Sequence, residues 1–389
     1  MWEPADRIFL FGFSRGAYTV RCVGGVLKLC GVPVLDSDGA PLRRDPAIAR
    51  AVATQAVKHV YQFGSSKEGN PYQKARNGLA GRFRATHGSA HASVGDRPNA
   101  APYFIGVWDT VAALGLTAGR LIVLGAVLLG LLLLAAAFVR WFLVAAALAR
   151  PDLGDVFWPL LLFWLACGFM AYLRAHLKFT TRLDVPWWRT VHLTGWRMRF
   201  HDEKLDPNVG FARQALAIDE NRADFEAVEW TPKQGERPDA ARDGVVQVKQ
   251  VWFAGAHSDV GGSYNENESR LSDIALKWML DEATALPFPL RFDPDLLRLW
   301  PSSDGVQHDE RCAVPGGLPR WLSRLIRRVL PPTAFCWEFR SRTIDSHALL
   351  HPSVPERFAL PSVLIDGWRM PYRPVALRRH AQVRGYYDG

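Results

Sequence analysis

Hydrophobic positions fall in short blocks between polar stretches, and two much longer blocks interrupt that rhythm. Ile8-Phe9-Leu10-Phe11 is a compact apolar run of the kind that forms a strand buried in a parallel sheet. Gly12 and Gly16 follow it. Ala17–Leu29 then carries Val20, Val23 and Leu27 at helical spacing, with Gly31 as a stop. A second helix is predicted over Pro46–Phe63, opened by Asp45 as N-cap and Pro46 at the first helical position. Gly64–Ala101 is polar and rich in Gly, Asn and Ser, which predicts a long surface loop. Tyr103–Trp108 predicts a second strand with Asp109 at its end. Phe211–Glu220 predicts a helix, the stretch to Gly244 a polar loop, and Val245–Phe253 a third strand running into Gly255-Ala256-His257. Ser272 is expected to cap a helix through Ala283, with Ile274, Leu276, Trp278, Met279 and Leu280 packing inward.

The long blocks come between the second strand and Phe211. Leu121–Val139 is nineteen residues without a charge, and roughly twenty such residues cross a bilayer core as a helix. Apolar character resumes after Arg140 through Leu148. A polar break (Arg150, Pro151, Asp152, Asp155) then precedes the uncharged run Val156–Leu173. The pattern predicts a transmembrane helical hairpin with spans at 121–139 and 156–173. The alternative is a helix pair buried in a soluble core, but core helices rarely stay uncharged on every face. Arg174, Lys178, Arg182 and Arg189 follow, with Trp187, Trp188 and Trp196 nearby, a composition suited to a membrane interface. The positive-inside rule would place both flanks in the cytoplasm and the link outside. Two crossings return the chain to the same side, so both flanks can share one sheet. Trp321–Val329 places apolar residues opposite Arg320, Arg324, Arg327 and Arg328, which fits a basic amphipathic helix on a membrane or an ordinary surface helix.

Composition sharpens this picture. The 389 residues suffice for one large domain or two ordinary ones. Hydrophobic residues make up 49% of the chain while mean hydropathy is close to zero, so the apolar weight is concentrated in the blocks above. The net charge of +9 comes mainly from scattered arginines. With no long basic run and no zinc-finger spacing, nucleic acid is not an expected partner, whereas anionic lipid is. Five dispersed cysteines (Cys22, Cys30, Cys167, Cys312, Cys336) predict buried free thiols, with neither a disulfide framework nor a zinc site. Met1-Trp2-Glu3-Pro4 leads at once into the first strand, so no signal peptide is expected, and no internal repeat is present.

The candidate chemistry starts at Gly12-Phe13-Ser14-Arg15-Gly16. Between a strand and a helix, G-x-S-x-G makes a tight turn that exposes the serine oxygen. The following helix aims its N-terminal dipole and free N–H groups at the same place, and the N–H of Arg15 is the natural oxyanion donor. A serine hydroxyl needs a base, and the base needs an acid to orient it. Asp109 at a strand end and His257 after the third strand complete the order Ser14, Asp109, His257, the chain order of α/β-hydrolase triads. Taken singly, the aspartate reads as a helix cap and the histidine as a satisfied hydrogen-bonding group.

Four stretches together carry a resemblance: Phe11-Gly-Phe-Ser-Arg-Gly-Ala-Tyr18, Gly106-Val-Trp-Asp-Thr-Val111, Ala215-Leu-Ala-Ile-Asp-Glu220 and Val251-Trp-Phe-Ala-Gly-Ala-His-Ser-Asp-Val-Gly-Gly262. They resemble the catalytic domain of type VI secretion phospholipase effectors, and His351-Pro-Ser-Val354 is similar to a further block near the end of that domain. The resemblance implies an α/β-hydrolase-like parallel sheet and cleavage of phospholipid acyl esters; no cofactor and no metal-binding residue is assigned. Ser14 would be the nucleophile, Asp109 the acid and His257 the base, with Asp259 and His351 as secondary candidates. It implies membrane phospholipids as partners, with secretion machinery and an immunity protein beside them. The expected location is the bacterial inner membrane or, for a secreted effector, a target membrane. The family's earlier strand ending in Asp-Gly-Thr has no counterpart in the few residues before Ile8. The expected sheet is therefore N-terminally incomplete, with an exposed edge and a second oxyanion donor in question. On this view residues 1–117 begin the hydrolase domain, 118–176 form the hairpin, and 177–389 complete the domain. The rival expectation is a catalytically inactive, hydrolase-like membrane protein with a binding role.

Overall fold

The computed structural model describes residues 3, 6–64, 72–93, 95, 97–111, 118–146, 151–181, 186–193, 205–230, 241–242, 244–312 and 336–388. The first strand, β1 (Ile8–Phe13), runs on through Gly12, and the chain turns at Ser14 into α1 (Arg15–Cys30). The predicted second helix begins as α2 (Pro46–Thr54), with Asp45 accepting from the N–H groups of Ala47 and Ile48. It then winds through a π turn (Gln55–Val60) and a 3-10 turn (Tyr61–Phe63). The expected loop over 64–101 contains instead a helix, α3 (Gln73–His87). Its apolar residues are sparse, but Leu79, Ala80 and Phe83 pack with Leu29, Cys30 and the turns at 55–63. Arg84 caps the Leu29 carbonyl from a buried position, which a polar-looking sequence conceals.

After β2 (Pro102–Trp108) come the two long helices α4 (Ala118–Ala145) and α5 (Leu153–His176). They pack on one another, and Arg140 in α4 donates through Nε to the Pro151 carbonyl in the link (3.0 Å). Among the described residues two helices are long and apolar enough to cross a membrane: Leu124–Ala145 and Leu153–His176. They are not core helices, because Leu134 (69% exposed), Phe138, Trp141, Trp164, Leu165 and Phe169 all project outward. Short strands β3 (Leu177–Lys178) and β4 (His192–Leu193) pair beyond them. His192 ties this pair to the body by a ring contact on Tyr72 and a hydrogen bond to the Phe63 carbonyl (2.6 Å).

The segment predicted as a helix at Phe211–Glu220 is a strand, β5 (Phe211–Ala217), buried at every position. Arg213 and Gln214 break its apolar run and its alanines favour a helix, yet both polar side chains find partners inside. Arg213 pairs with Glu282 (2.5 Å), and Gln214 donates to the Val228 carbonyl (3.0 Å). The expected third strand divides: β7 (Val245–Val246) pairs with β6 (Ala241–Arg242), and β8 (Val248–Phe253) joins the main sheet. That sheet has the order β1-β2-β5-β8, every pair parallel. Helix α6 (His257–Gly261) follows β8, and α7 (Arg270–Thr284) follows α6.

Alternation along the strands sends side chains to two faces. Ile105, Val107 and Ala212 pack with Ala17 of α1, whereas Phe104 and Phe211 pack with Met279 and Ala283 of α7. A third cluster joins Leu216, Ile218 and Trp252 to Val354 and Phe358 of α8 (Ser353–Ala359) and to Val363 in β9 (Val363–Ile365), which pairs with β10 (Trp368–Met370). Among the described residues β1 is an edge strand, with Phe11 37% exposed. The amphipathic stretch 321–329 lies outside the described residues, as do Arg182 and Trp196.

Candidate active site

The ends of β1, β2 and β8 meet at one edge of the sheet, and each delivers one polar side chain there. Ser14 is held by its own N–H donating to the Trp108 carbonyl (3.1 Å). Its φ of 57° and ψ of −120° lie where a residue with a side chain is strained, as expected of a turn that exposes a nucleophile. The turn is this tight because Gly12 lets α1 approach: a Cβ there would stand 2.5 Å from the Gly16 carbonyl oxygen. Gly16 has open space around it. Helix α1 starts at Arg15, so the N–H groups of its first turn face the serine without intrahelical acceptors.

Asp109 also has a positive φ, 39°, and is fully buried. Its N–H donates to the Ala215 carbonyl (2.7 Å), and its Oδ1 accepts from the N–H of Ala217 (3.0 Å). His257 opens α6 and bridges the other two. Its Nδ1 lies 2.6 Å from Asp109 Oδ2 and its Nε2 lies 2.7 Å from Ser14 Oγ. A carboxylate on Nδ1 fixes the tautomer in which Nε2 accepts from the serine hydroxyl. Phe13 (ring centroids 4.6 Å apart) and Phe225 (5.4 Å, edge-on) confine the imidazole.

One member of this arrangement was invisible in the sequence. Arg342 reaches the carboxylate with two nitrogens, Nη1 to Oδ1 (2.5 Å) and Nη2 to Oδ2 (2.9 Å), and also donates to the carbonyls of Ala217 and Phe225 (2.8 Å each). Burial by itself would raise the Asp109 carboxyl. The Arg342 guanidinium and the hydrogen bond from His257 outweigh it and hold the group well below the usual carboxylate range.

The secondary candidates lie elsewhere. Asp259 sits in α6 two residues past His257, but its carboxylate accepts from the N–H groups of Ala256 (2.9 Å) and His308 (3.0 Å) and from His308 Nδ1 (2.7 Å). Its hydrogen bond and charge raise His308 above an ordinary histidine. The His308 ring stacks on Tyr264, whose hydroxyl bonds to Glu310. Glu310 pairs in turn with Arg222 (2.9 Å). Burial opposes the ionised form of Glu310, but hydrogen bonds from Ser258 and Tyr264 and the charge of Arg222 lower it. His351 stacks on Phe253, and its Nδ1 bonds to Ser353 (2.9 Å); burial pushes it down to about 4. Ser14, Asp109 and His257 thus come together, while Asp259 and His351 bond away from Ser14.

The cysteine expectation is corrected in part. Cys312 and Cys336 form a disulfide, while Cys22, Cys30 and Cys167 are outside any disulfide, the last exposed on α5. The bond starts a strip that runs beside the site. Trp337 donates its N–H to the Arg311 carbonyl (2.9 Å), Ala223 to Glu338 (2.9 Å) and Arg340 to Asn221 (2.9 Å). Trp337 packs edge-on against Phe225 (5.5 Å), and the strip ends at Arg342. Among the described residues no cluster of three or more His, Cys, Asp or Glu side chains is placed to hold a metal ion.

A strained serine between a strand and a helix, beside a histidine and a buried aspartate at the end of a parallel sheet, defines a geometry familiar from hydrolases that act through serine. The family model described as the type VI secretion system phospholipase effector, Tle1-like, catalytic domain matches residues 1–127 and 179–282, and the chain belongs to that family. The match breaks off within α4 and resumes beyond α5, so most of the apolar hairpin lies outside the matched residues. Among solved structures, an uncharacterized protein from Pseudomonas aeruginosa aligns at 17% identity with a TM-score of 0.26. The alignment covers 71% of this chain and 23% of that one, so the chain spans under a quarter of that protein's length. No curated protein matches.

Proposed function

We propose that the protein is a membrane-associated serine hydrolase that cleaves phospholipid acyl esters through an acyl-enzyme on Ser14. The observation that carries this reading is the bridge of His257 between Asp109 Oδ2 (2.6 Å) and Ser14 Oγ (2.7 Å). His257 Nε2 takes the hydroxyl proton as Ser14 Oγ attacks the ester carbonyl. The Arg15 N–H donates to the oxygen that becomes negative. The imidazolium then protonates the departing lysophospholipid oxygen, leaving the fatty acid on Ser14. Water, deprotonated by the same imidazole, attacks the acyl-enzyme and releases the fatty acid. Asp109 orients the ring and stabilises its cation without taking the proton.

Membrane association rests on α4 and α5, whose apolar side chains are exposed along both helices. In this reading 118–176 is a transmembrane hairpin, and a hydrolase domain is assembled from 1–117 and 177–389 around it. The ester site then stays next to the bilayer that supplies its substrate, at the inner membrane or at a target membrane reached by secretion. Secretion machinery and an immunity protein are the expected partners besides lipid.

The test is hydrolysis of phosphatidylglycerol–phosphatidylethanolamine vesicles together with labelling by a fluorophosphonate, which reacts only with an activated serine. Wild-type protein is expected to release fatty acid and to be labelled at Ser14, and Ser14→Ala to do neither. Unchanged hydrolysis in Ser14→Ala refutes the nucleophile assignment. A wild-type protein that binds vesicles but resists the label would support the binding role instead.

A further inference from the structure

Asp109 is held more fully than a triad needs. Its two oxygens accept from His257 Nδ1, the Ala217 N–H and both terminal nitrogens of Arg342, and the carboxylate has no exposure. Arg342 is itself buried, at 8% exposure. Its planar fork matches the carboxylate edge to edge, and its other bonds, to the carbonyls of Ala217 and Phe225, lock the guanidinium in place. It lies 233 residues from Asp109 in sequence and outside the residues matched by the family model.

A permanent cation on the triad acid has two separable effects. It fixes the plane of the carboxylate, and so the direction in which Oδ2 receives the imidazole. It also offsets the negative charge that would otherwise favour the imidazolium. We propose that Arg342 is a positioning residue for the Asp109–His257 pair: its fork fixes the carboxylate that orients the imidazole, and its charge offsets that of the carboxylate. This rests on the reading of Ser14 as nucleophile and His257 as base.

Among the described residues the other charged groups around the pair are few. Arg222, whose guanidinium lies over the Phe225 ring, acts on Asp109 through its charge, Glu310 acts on His257, and Glu229 on Arg342. Asp259 is engaged by His308. Arg342 alone among these touches the carboxylate, so its removal is the perturbation felt most directly by the pair. The sign follows from charge. Without Arg342 the full charge of the carboxylate is left to the pair, which favours its protonated form, so the acidic limb of the activity profile moves to higher pH.

The experiment measures kcat/KM against pH for the full-length protein in detergent on a short-chain ester, per fluorophosphonate-reactive site. Wild type, Arg342→Met and Arg342→Lys are compared. The acidic limb of Arg342→Met is expected about one pH unit or more above that of wild type. Arg342→Lys restores the charge without the fork, so its limb returns to the wild-type position while its plateau rate stays several-fold lower. An unmoved limb in Arg342→Met, with loss only in the number of reactive sites, would mean a purely structural ion pair and would overturn the proposal. If Arg342→Met does not fold, Arg342→Lys decides: a lower plateau per labelled site supports the positioning role, and a plateau equal to wild type refutes it. Failure of the label to mark Ser14 in wild type identifies the nucleophile reading as the fault.

Discussion

The two glycines of the Ser14 turn should behave oppositely when each is given a methyl group. At Gly12 a Cβ would lie 2.5 Å from the Gly16 carbonyl oxygen, 2.6 Å from its carbon and 2.8 Å from the Ala17 nitrogen. All three are backbone atoms, with no rotamer to escape into. An unstrained carbon–carbon contact needs about 3.5 Å, so the first turn of α1 must retreat by about 0.9 Å. That turn carries the N–H groups facing Ser14. A comparable displacement of Ser14 would stretch its 2.7 Å bond to His257 past the length at which it counts as a hydrogen bond. A misplacement near 1 Å costs about a hundredfold in rate, and overpacking costs roughly 1–3 kcal/mol of stability. At Gly16 nothing lies within 4 Å of the added atom, and helical backbone at that position gains roughly 0.4–1 kcal/mol from alanine. Gly12→Ala is therefore expected to lose about a hundredfold in ester hydrolysis and to melt lower. Gly16→Ala should keep activity within a few-fold and melt at the same temperature or higher. The assays are initial rates on a soluble ester, fluorophosphonate labelling rates and thermal melts. Equal losses from both substitutions, or a fully active Gly12→Ala, would refute the idea that close strand–helix approach sets the nucleophile.

Two further expectations concern other parts of the molecule. Leu134→Glu with Leu165→Glu puts charge on exposed faces of both long helices, and each charge at a bilayer centre costs about 2.5–3.5 kcal/mol; vesicle partition measured by flotation should fall at least tenfold while soluble-ester hydrolysis is unchanged. Retained partition would show that the hairpin does not hold the membrane. Asp259 raises His308 above its unfolded value, so its contribution to stability is complete below about pH 6.5 and is lost as pH rises through the folded value. His308→Gln should therefore lower the melting temperature more at pH 6 than at pH 9, and a deficit that grows with pH would contradict the pairing.

Elements with a local signature were legible in the sequence. The apolar run at Ile8, the G-x-S-x-G turn, the strand before Asp109 and the helix after Ser269 all depend on residues adjacent in the chain. Ser14, Asp109 and His257 could be read together because each lies just past the C-terminal end of a strand of one parallel sheet. What failed depends on distant partners. β5 looked helical because nothing local announces that Glu282 will neutralise Arg213, or that the Val228 carbonyl will take the Gln214 amide. α3 was hidden by arginines that are buried against carbonyl oxygens. The Cys312–Cys336 bond and Arg342 carry no pattern at all; only the folded strip beside Phe225 brings them to the site. The expected role of Gly16 was general to the motif, and the packing assigns the crowding to Gly12.

The hairpin also bears on how the sheet can form. β2 ends at Trp108 and its neighbour β5 begins at Phe211, so closing that pair as a flexible loop would span about 100 residues. Once α4 and α5 are packed together, their far ends return close to where they left, and about 45 residues remain to be closed. The logarithmic dependence of loop entropy makes this difference worth only about 0.7 kcal/mol. A long insertion between two adjacent parallel strands is thus nearly free in chain entropy, provided it folds back on itself. Such a site can accept or lose a pair of apolar helices while the register of β2 and β5 stays as it is.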